Sequence, residues 1–206
     1  MHNPAEHWEK VYQTKQPDAV SWFQAHATYS LDLIRSTGAP SNANLIDVGG
    51  GASTLVDDLM ASGFNNLTVL DLSASALEVA RKRLGGAGSA VKWIAGDVRS
   101  VDLPAHTYDI WHDRAVFHFL TDPSDRAAYV RQVMTSVKPG GHVIVATFAP
   151  DGPDQCSGLP VVRYSPDELH QEFGPTFELL EHISEVHTTP WGSVQHFIYC
   201  HCLTPY

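Results

Sequence analysis

Long apolar runs are missing from this chain of 206 residues. A bilayer-spanning helix needs about 20 consecutive apolar residues, and no stretch approaches that, so no membrane partner is expected. Basic runs are missing as well. With 13 Lys and Arg against 23 Asp and Glu, the formal net charge is −10 at pH 7. Nucleic-acid binding needs a basic footprint to meet the phosphates, so the composition argues against DNA and RNA as partners. Cysteine is scarce. Cys156, Cys200 and Cys202 are odd in number and lack zinc-finger spacing, which suits a reducing cytosol rather than a disulfide framework. The stretch "MHNPAEHWEK" has no basic start followed by an apolar segment, so no secretory leader is expected and the cytoplasm is the expected location. The 12 histidines include no metalloprotease-type pair on a helix, and no metal site is expected. Repeats and low-complexity tracts are absent too.

What is present is an alternation of strand and helix patterns from residue 44 onward. Strands are predicted at 44–48, 66–71, 91–96, 108–112 and 142–149, and helices at 53–63, 73–85, 121–141 and 165–174. Ser73, Asp122 and Ser165 read as helix caps, with Glu168 completing a capping box. Two long strand patterns, 177–189 and 193–203, close the chain. The first 40 residues read as helical. This order predicts an α/β fold: a doubly wound, mostly parallel seven-stranded sheet with an antiparallel C-terminal strand pair. A single domain is expected over 1–206, with a helical cap (1–40), a cofactor-binding core (41–149), a substrate lid and helix (150–176) and the terminal strand pair (177–206).

The chemistry-bearing segment is "LIDVGGGASTLVDDL", residues 45–59. Glycines after a buried strand let the backbone turn tightly and approach a ligand closely. A dinucleotide fingerprint would place a third glycine where Thr54 stands, and a P-loop would need a Gly-Lys-Ser/Thr end that is absent. Instead Asp47 precedes Gly49 by two residues, Asp71 ends the second strand, and Asp97 follows the third. A carboxylate beside the loop disfavours a pyrophosphate and welcomes a cationic amine. A carboxylate at the end of the second strand can accept the ribose hydroxyls, and one after the third can accept from an adenine amino group. S-adenosylmethionine has a ribose, an adenine and a cationic amino acid, and no phosphate.

The stretch 44–149 resembles the core of the class I S-adenosylmethionine-dependent methyltransferases. "DVGGGAS" is similar to their first motif, "VLDLSASAL" to the second, "AGDV" to the third and "VKPGGHVIVATF" to the later helix–turn–strand. The resemblance implies that Asp47, Gly49, Gly50 and Gly51 line the methionine end, and that Asp71 with Leu72 holds the ribose. Gly96, Asp97 and the Val98 backbone would meet the adenine. Ser53 stands where many members have a further glycine, and serine is small enough to start the helix.

Methyl transfer from a sulfonium is an in-line displacement that positioning and desolvation largely govern. Acceptor-side candidates lie in "WHDRAVFHF", residues 111–119. Asp113 and Arg114 are expected at the strand tip facing the donor, a pair similar to that of thiopurine-type methyltransferases. His118 is a candidate base, Phe117 a substrate contact, and His112 reads as a strand-edge residue. Trp8, Tyr12 and Trp22 are candidates to cap the sulfonium, whose charge favours aromatic faces. The long loop 149–164 reads as a substrate lid, with Cys156 and Arg163 as substrate contacts. The expected function is methyl transfer to a small-molecule acceptor by a monomer or homodimer. Two alternatives stand beside it: a protein lysine N-methyltransferase, and a non-catalytic protein that binds S-adenosylmethionine or S-adenosylhomocysteine.

Overall fold

The computed structural model describes residues 4–206; the first three residues of the N-terminal cap, also part of the stretch read for a leader, lie outside the described residues. Two helices, α1 (Pro4–Thr14) and α2 (Thr28–Ser36), precede the first strand, joined by an irregular segment that the sequence reading had as helical. Then come β1 (Asn44–Val48), α3 (Leu55–Ala61), β2 (Asn66–Asp71), α4 (Ala74–Leu84), β3 (Lys92–Ala95) and β4 (Tyr108–Arg114). They are followed by α5 (Pro123–Ser136), β5 (Val137–Phe148), β6 (Gln155–Cys156), β7 (Leu159–Pro160), α6 (Pro166–Phe173), β8 (Glu178–Thr188) and β9 (Val194–Leu203).

Seven strands form one sheet in the order β3-β2-β1-β4-β5-β9-β8. The first five run parallel, and β9 and β8 close the edge antiparallel. This is the Rossmann-like fold expected from the sequence. Strand order reverses between β1 and β4, which opens a crevice beyond their carboxyl ends. Helix caps fall where serine and aspartate stood: Ser73 Oγ accepts from the Ala76 N–H, Asp122 from Ser124, and Ser165 with Glu168 forms the capping box.

Side chains alternate across the sheet and divide the core in two. Ile46, Val48, Trp111, Val143 and Val145 pack with Tyr129 and Val133 of α5 and Leu169 and Phe173 of α6. Leu45, Ile110, Ile144 and Phe197 face Leu33 and Ile34 of α2 and Leu55, Val56 and Leu59 of α3. Three details differ from the sequence reading. Helix α5 ends at Ser136 rather than 141, because Val137 joins the sheet opposite Tyr108 and a bulge carries the chain on to the His142–Ile110 pair. Helix α3 starts at Leu55, two residues later than expected, since Ser53 and Thr54 finish the glycine turn. The lid loop holds a short two-stranded ribbon, β6–β7, that was read as irregular. No helix among the described residues is long and apolar enough to cross a membrane.

Candidate functional site

The glycine turn sits in the crevice between β1 and β4. Gly49 has φ +71°, and a Cβ there would collide with the Val116 side chain. A Cβ at Gly50 would strike Oδ2 of Asp47, and one at Gly51 would lie 2.5 Å from Oδ2 of Asp71. The three glycines therefore keep the space around two carboxylates free, as a close-approach loop requires.

Two cavities meet at this turn. The larger has a volume of about 400 Å³ and the smaller about 60 Å³. Tyr12, Trp22, Val48, Gly49 and Arg114 line both. Asp71, Leu72, Gly96, Asp97 and Val98 line the large chamber on one side, and Trp8, Phe119, Phe148, Cys156 and Phe197 on the other. Asp47, Gly50, Ser53 and His112 line the small one. Gly51 lines neither and acts from beneath the turn, against Asp71 and Ala76.

The acids differ in their surroundings. Asp47 is buried; Oδ1 accepts from His112 Nδ1 at 2.7 Å, and Oδ2 has no partner within the protein. Asp71 accepts from the Ser73 N–H at 2.8 Å. Burial, with Asp47 and Glu9 nearby, pushes its carboxyl up to about 7. Asp97 is fastened to Arg99, whose Nε donates at 2.9 Å, and this holds its carboxyl below the usual range. Arg99 also meets Asp125, so the outer edge of the adenine-side wall is an ionic cluster.

Alternation splits the Asp113–Arg114 pair. Asp113 shares its face with Trp111 and is fully buried toward α5, accepting from Tyr129 OH at 2.7 Å and from the N–H groups of Val116 and Phe117. Burial raises its carboxyl to about 6. It lines neither chamber, and the expectation that it faces a methyl donor is corrected. Arg114 points the other way, into the wall between the chambers. It pairs with Glu185 of β8 at 3.1 Å, donates to Tyr199 OH at 3.0 Å and lies 4.2 Å from the Phe197 ring centroid. His118 is buried behind Phe119 and Phe148, with Nε2 unpartnered. Burial beside Arg114 drops it to about 3, so it stays neutral. It lines neither chamber, and its role as a base is corrected on that ground. Phe117 packs between Tyr129 and Phe173, and Arg163 donates to the Gly152 carbonyl at 3.2 Å; both stand away from the chambers.

The aromatic lead-in is brought to the site. Trp8 meets Trp22 edge-on at 5.5 Å and Phe119 at 5.1 Å, and Tyr12 stands 6.4 Å from Trp22. Helix α1 is held there by Glu9, which accepts from Ser73 Oγ at 2.7 Å and from Ser75. Cys156 lines the same wall, and burial pushes its thiol up to about 11, so it carries no thiolate. Glu9, Ser30, Glu185 and Tyr199 escaped the sequence reading. The contacts that place them, Glu9 with Ser73, Ser30 with Tyr199, and Arg114 with Glu185 and Tyr199, span 64 to 169 residues, and no local pattern marks them. Among the described residues no group of three or more His, Cys, Asp or Glu is placed to hold a metal ion.

Residues 45–141 match a family model described as a methyltransferase domain. The ubiquinone biosynthesis O-methyltransferase of Ralstonia nicotianae is 34% identical over 120 residues, covering 57% of this chain and 48% of that protein. The human EEF1A lysine methyltransferase 2 is 23% identical over 192 residues, covering 86% of this chain and 75% of that protein. A solved structure of the Burkholderia thailandensis 1,6-didemethyltoxoflavin-N1-methyltransferase, with 1,6-didemethyltoxoflavin and S-adenosylhomocysteine bound, superposes with a TM-score of 0.72 at 17% identity. That match covers 98% of this chain and 88% of that one. The chain spans about half the length of the first curated relatives that it matches. Residues 45–141 thus resemble a methyltransferase domain, and the solved structure shares the fold.

Proposed function

We propose that this domain binds S-adenosylmethionine across the two chambers and transfers its methyl group to a small-molecule acceptor. The observation that carries the reading is the arrangement of three strand-end acids around one crevice. Asp47 borders the small chamber, while Asp71 and Asp97 border the large one. The orphaned Oδ2 of Asp47 suits the ammonium of an amino acid, since a buried acceptor left unpaired is costly. Asp71 would take the ribose hydroxyls, with Leu72 beside it. Gly96, Asp97 and Val98 would border the adenine, and Gly49, Gly50 and Ser53 the methionine chain. The waist between the chambers, where Tyr12, Trp22 and Arg114 meet, is then the place for the sulfonium. Aromatic faces there favour its charge. The bound cofactor supplies an activated methyl group.

The acceptor would lie in the remainder of the large chamber, against Trp8, Phe119, Phe148, Cys156 and Phe197. That wall is apolar, which suits a small apolar molecule better than a charged lysine at the end of a protein segment. The ubiquinone-pathway relative supports the same choice, and the acidic charge argues against nucleic acid. The lysine methyltransferase relative, which aligns over more of the chain at lower identity, keeps a protein acceptor as the second reading. Asp113, His118, Phe117 and Arg163 have no part in this proposal. Calorimetric titration with S-adenosylhomocysteine tests it: saturable binding at one site per chain is expected, and no binding would remove the cofactor from the account.

A further inference from the structure

Asp47 and His112 are paired across β1 and β4, so their side chains leave the same face of the sheet. Around this pair the face is apolar, with Leu45, Ile110 and Ile144 at neighbouring positions, until Arg114 at the tip of β4. A histidine among them, 2% exposed, costs free energy unless its nitrogens are used. Both are used. A carboxylate only accepts, so Nδ1 carries the hydrogen and donates to Oδ1 of Asp47 at 2.7 Å. Nε2 lies 2.9 Å from Ser30 Oγ on α2. Ser30 in turn stands 3.4 Å from Tyr199 OH, which donates to Glu185 at 2.8 Å.

This string fixes which oxygen of Asp47 faces the small chamber. A carboxylate held at one oxygen presents the other in a single direction, whereas a free one rotates and samples several. Oδ2 is the oxygen left over, and it lies under Gly50, where a Cβ would fill its space. We propose that His112 and Ser30 are positioning residues that hold Asp47 with Oδ2 open for the ammonium of an amino-acid-bearing ligand. The inference rests on the cofactor reading above and goes beyond it: the amino-acid half of the ligand is selected through a histidine and a serine that set the orientation of Asp47.

Two probes separate this role from a merely structural one. S-adenosylhomocysteine carries the ammonium; 5′-methylthioadenosine carries the same nucleoside and no amino-acid end. Calorimetry with both is compared for the wild type, His112→Phe and Ser30→Ala, with thermal melting of each protein alongside. The His112→Phe change is expected to weaken S-adenosylhomocysteine about tenfold to a hundredfold, the range for hydrogen bonds to charged groups. Methylthioadenosine is expected to stay within about twofold. Ser30→Ala, the milder change, is expected to shift the ratio the same way by less. Equal weakening of both probes, or of neither, in a folded variant overturns the positioning role alone. A wild-type protein that binds neither probe overturns the cofactor reading and this proposal with it.

Discussion

The small chamber has a polar floor of strand tips and a glycine turn, held by neighbours in the sheet and by Ser30 of α2, and Tyr12, Pro17, Val20, Trp22 and Phe23 of the lead-in wall it. Asp47, His112 and Ser30 are each at most 3% exposed and bonded in series. The inner wall of the large chamber is made of segments remote in sequence: Trp8 and Tyr12 from α1, Trp22 from the irregular lead-in, Cys156, Leu159 and Pro160 from the ribbon, and Phe197 from β9. The polar ends of both chambers are products of the sheet, and their aromatic walls are assembled on it. Arg114 joins them. It lines both and ties the lead-in to the terminal strands, because Glu185 also accepts from Gln24 at 2.6 Å and His187 donates to the Ser21 carbonyl at 2.6 Å. On the proposed reading, the polar contacts to the cofactor belong to the sheet, whereas acceptor choice belongs to the elements assembled on it.

The change with the largest expected effect cuts this join. Arg114→Met leaves Glu185 buried and without its cation, which costs about 3–5 kcal/mol. Thermal unfolding should move down by roughly 6–20 °C. A change under about 2 °C would mean that the two chambers are not held together by this pair. Next, Asp71→Ala should weaken S-adenosylhomocysteine by about 1–3 kcal/mol in calorimetry. Unchanged affinity would take the ribose away from that strand end.

Removing residues 1–22 strips the aromatic wall and spares the sheet. Turnover should fall on the order of tenfold or more, a larger loss than that in fold stability, since water then reaches the reacting atoms. Equal activity of the shortened chain would merge the two chambers into one sheet-built site. The last test concerns pH. Burial raises the Asp71 carboxyl to about 7, so the folded protein keeps a proton there that the unfolded chain loses near pH 4. The stability linked to that proton is present below pH 4 and lost as pH rises through about 7. Asp71→Asn should therefore gain on the wild type in melting temperature between pH 5 and pH 8. A constant gap would mean that Asp71 is ionised throughout.

The small chamber was the legible one. Its acid and glycines are contiguous, and the strand before them is a plain apolar run. The seven strands were legible for the same reason: buried parallel strands and capped helices carry local patterns. Asp113 and Arg114 mark where the local reading stopped. They are adjacent in sequence, yet alternation along β4 sends one to Tyr129 of α5 and the other to Tyr199 of β9. Placing Ile110, His112 and Arg114 on one face and Trp111 and Asp113 on the other would have separated them. His112 read as a strand-edge residue because its partner Ser30 lies 82 residues away in a helix. The His118 reading failed for another reason. The short helical turn at 117–119 turns Phe119 toward the chamber and leaves His118 behind it, and no periodicity in three residues announces that. The aromatic lead-in was recognised by composition alone. Its seat over the chamber depends on Glu9 meeting Ser73 and Ser75, a contact between elements.

The most direct test supplies S-adenosylmethionine with a tritiated methyl group to the protein in an extract of its source cells. The label is then divided into acid-precipitable, organic-extractable and volatile fractions. The account predicts label in the organic or volatile fraction, from a small acceptor held against the aromatic wall. Label in the acid-precipitable fraction would contradict it and turn the large chamber into a seat for a protein side chain.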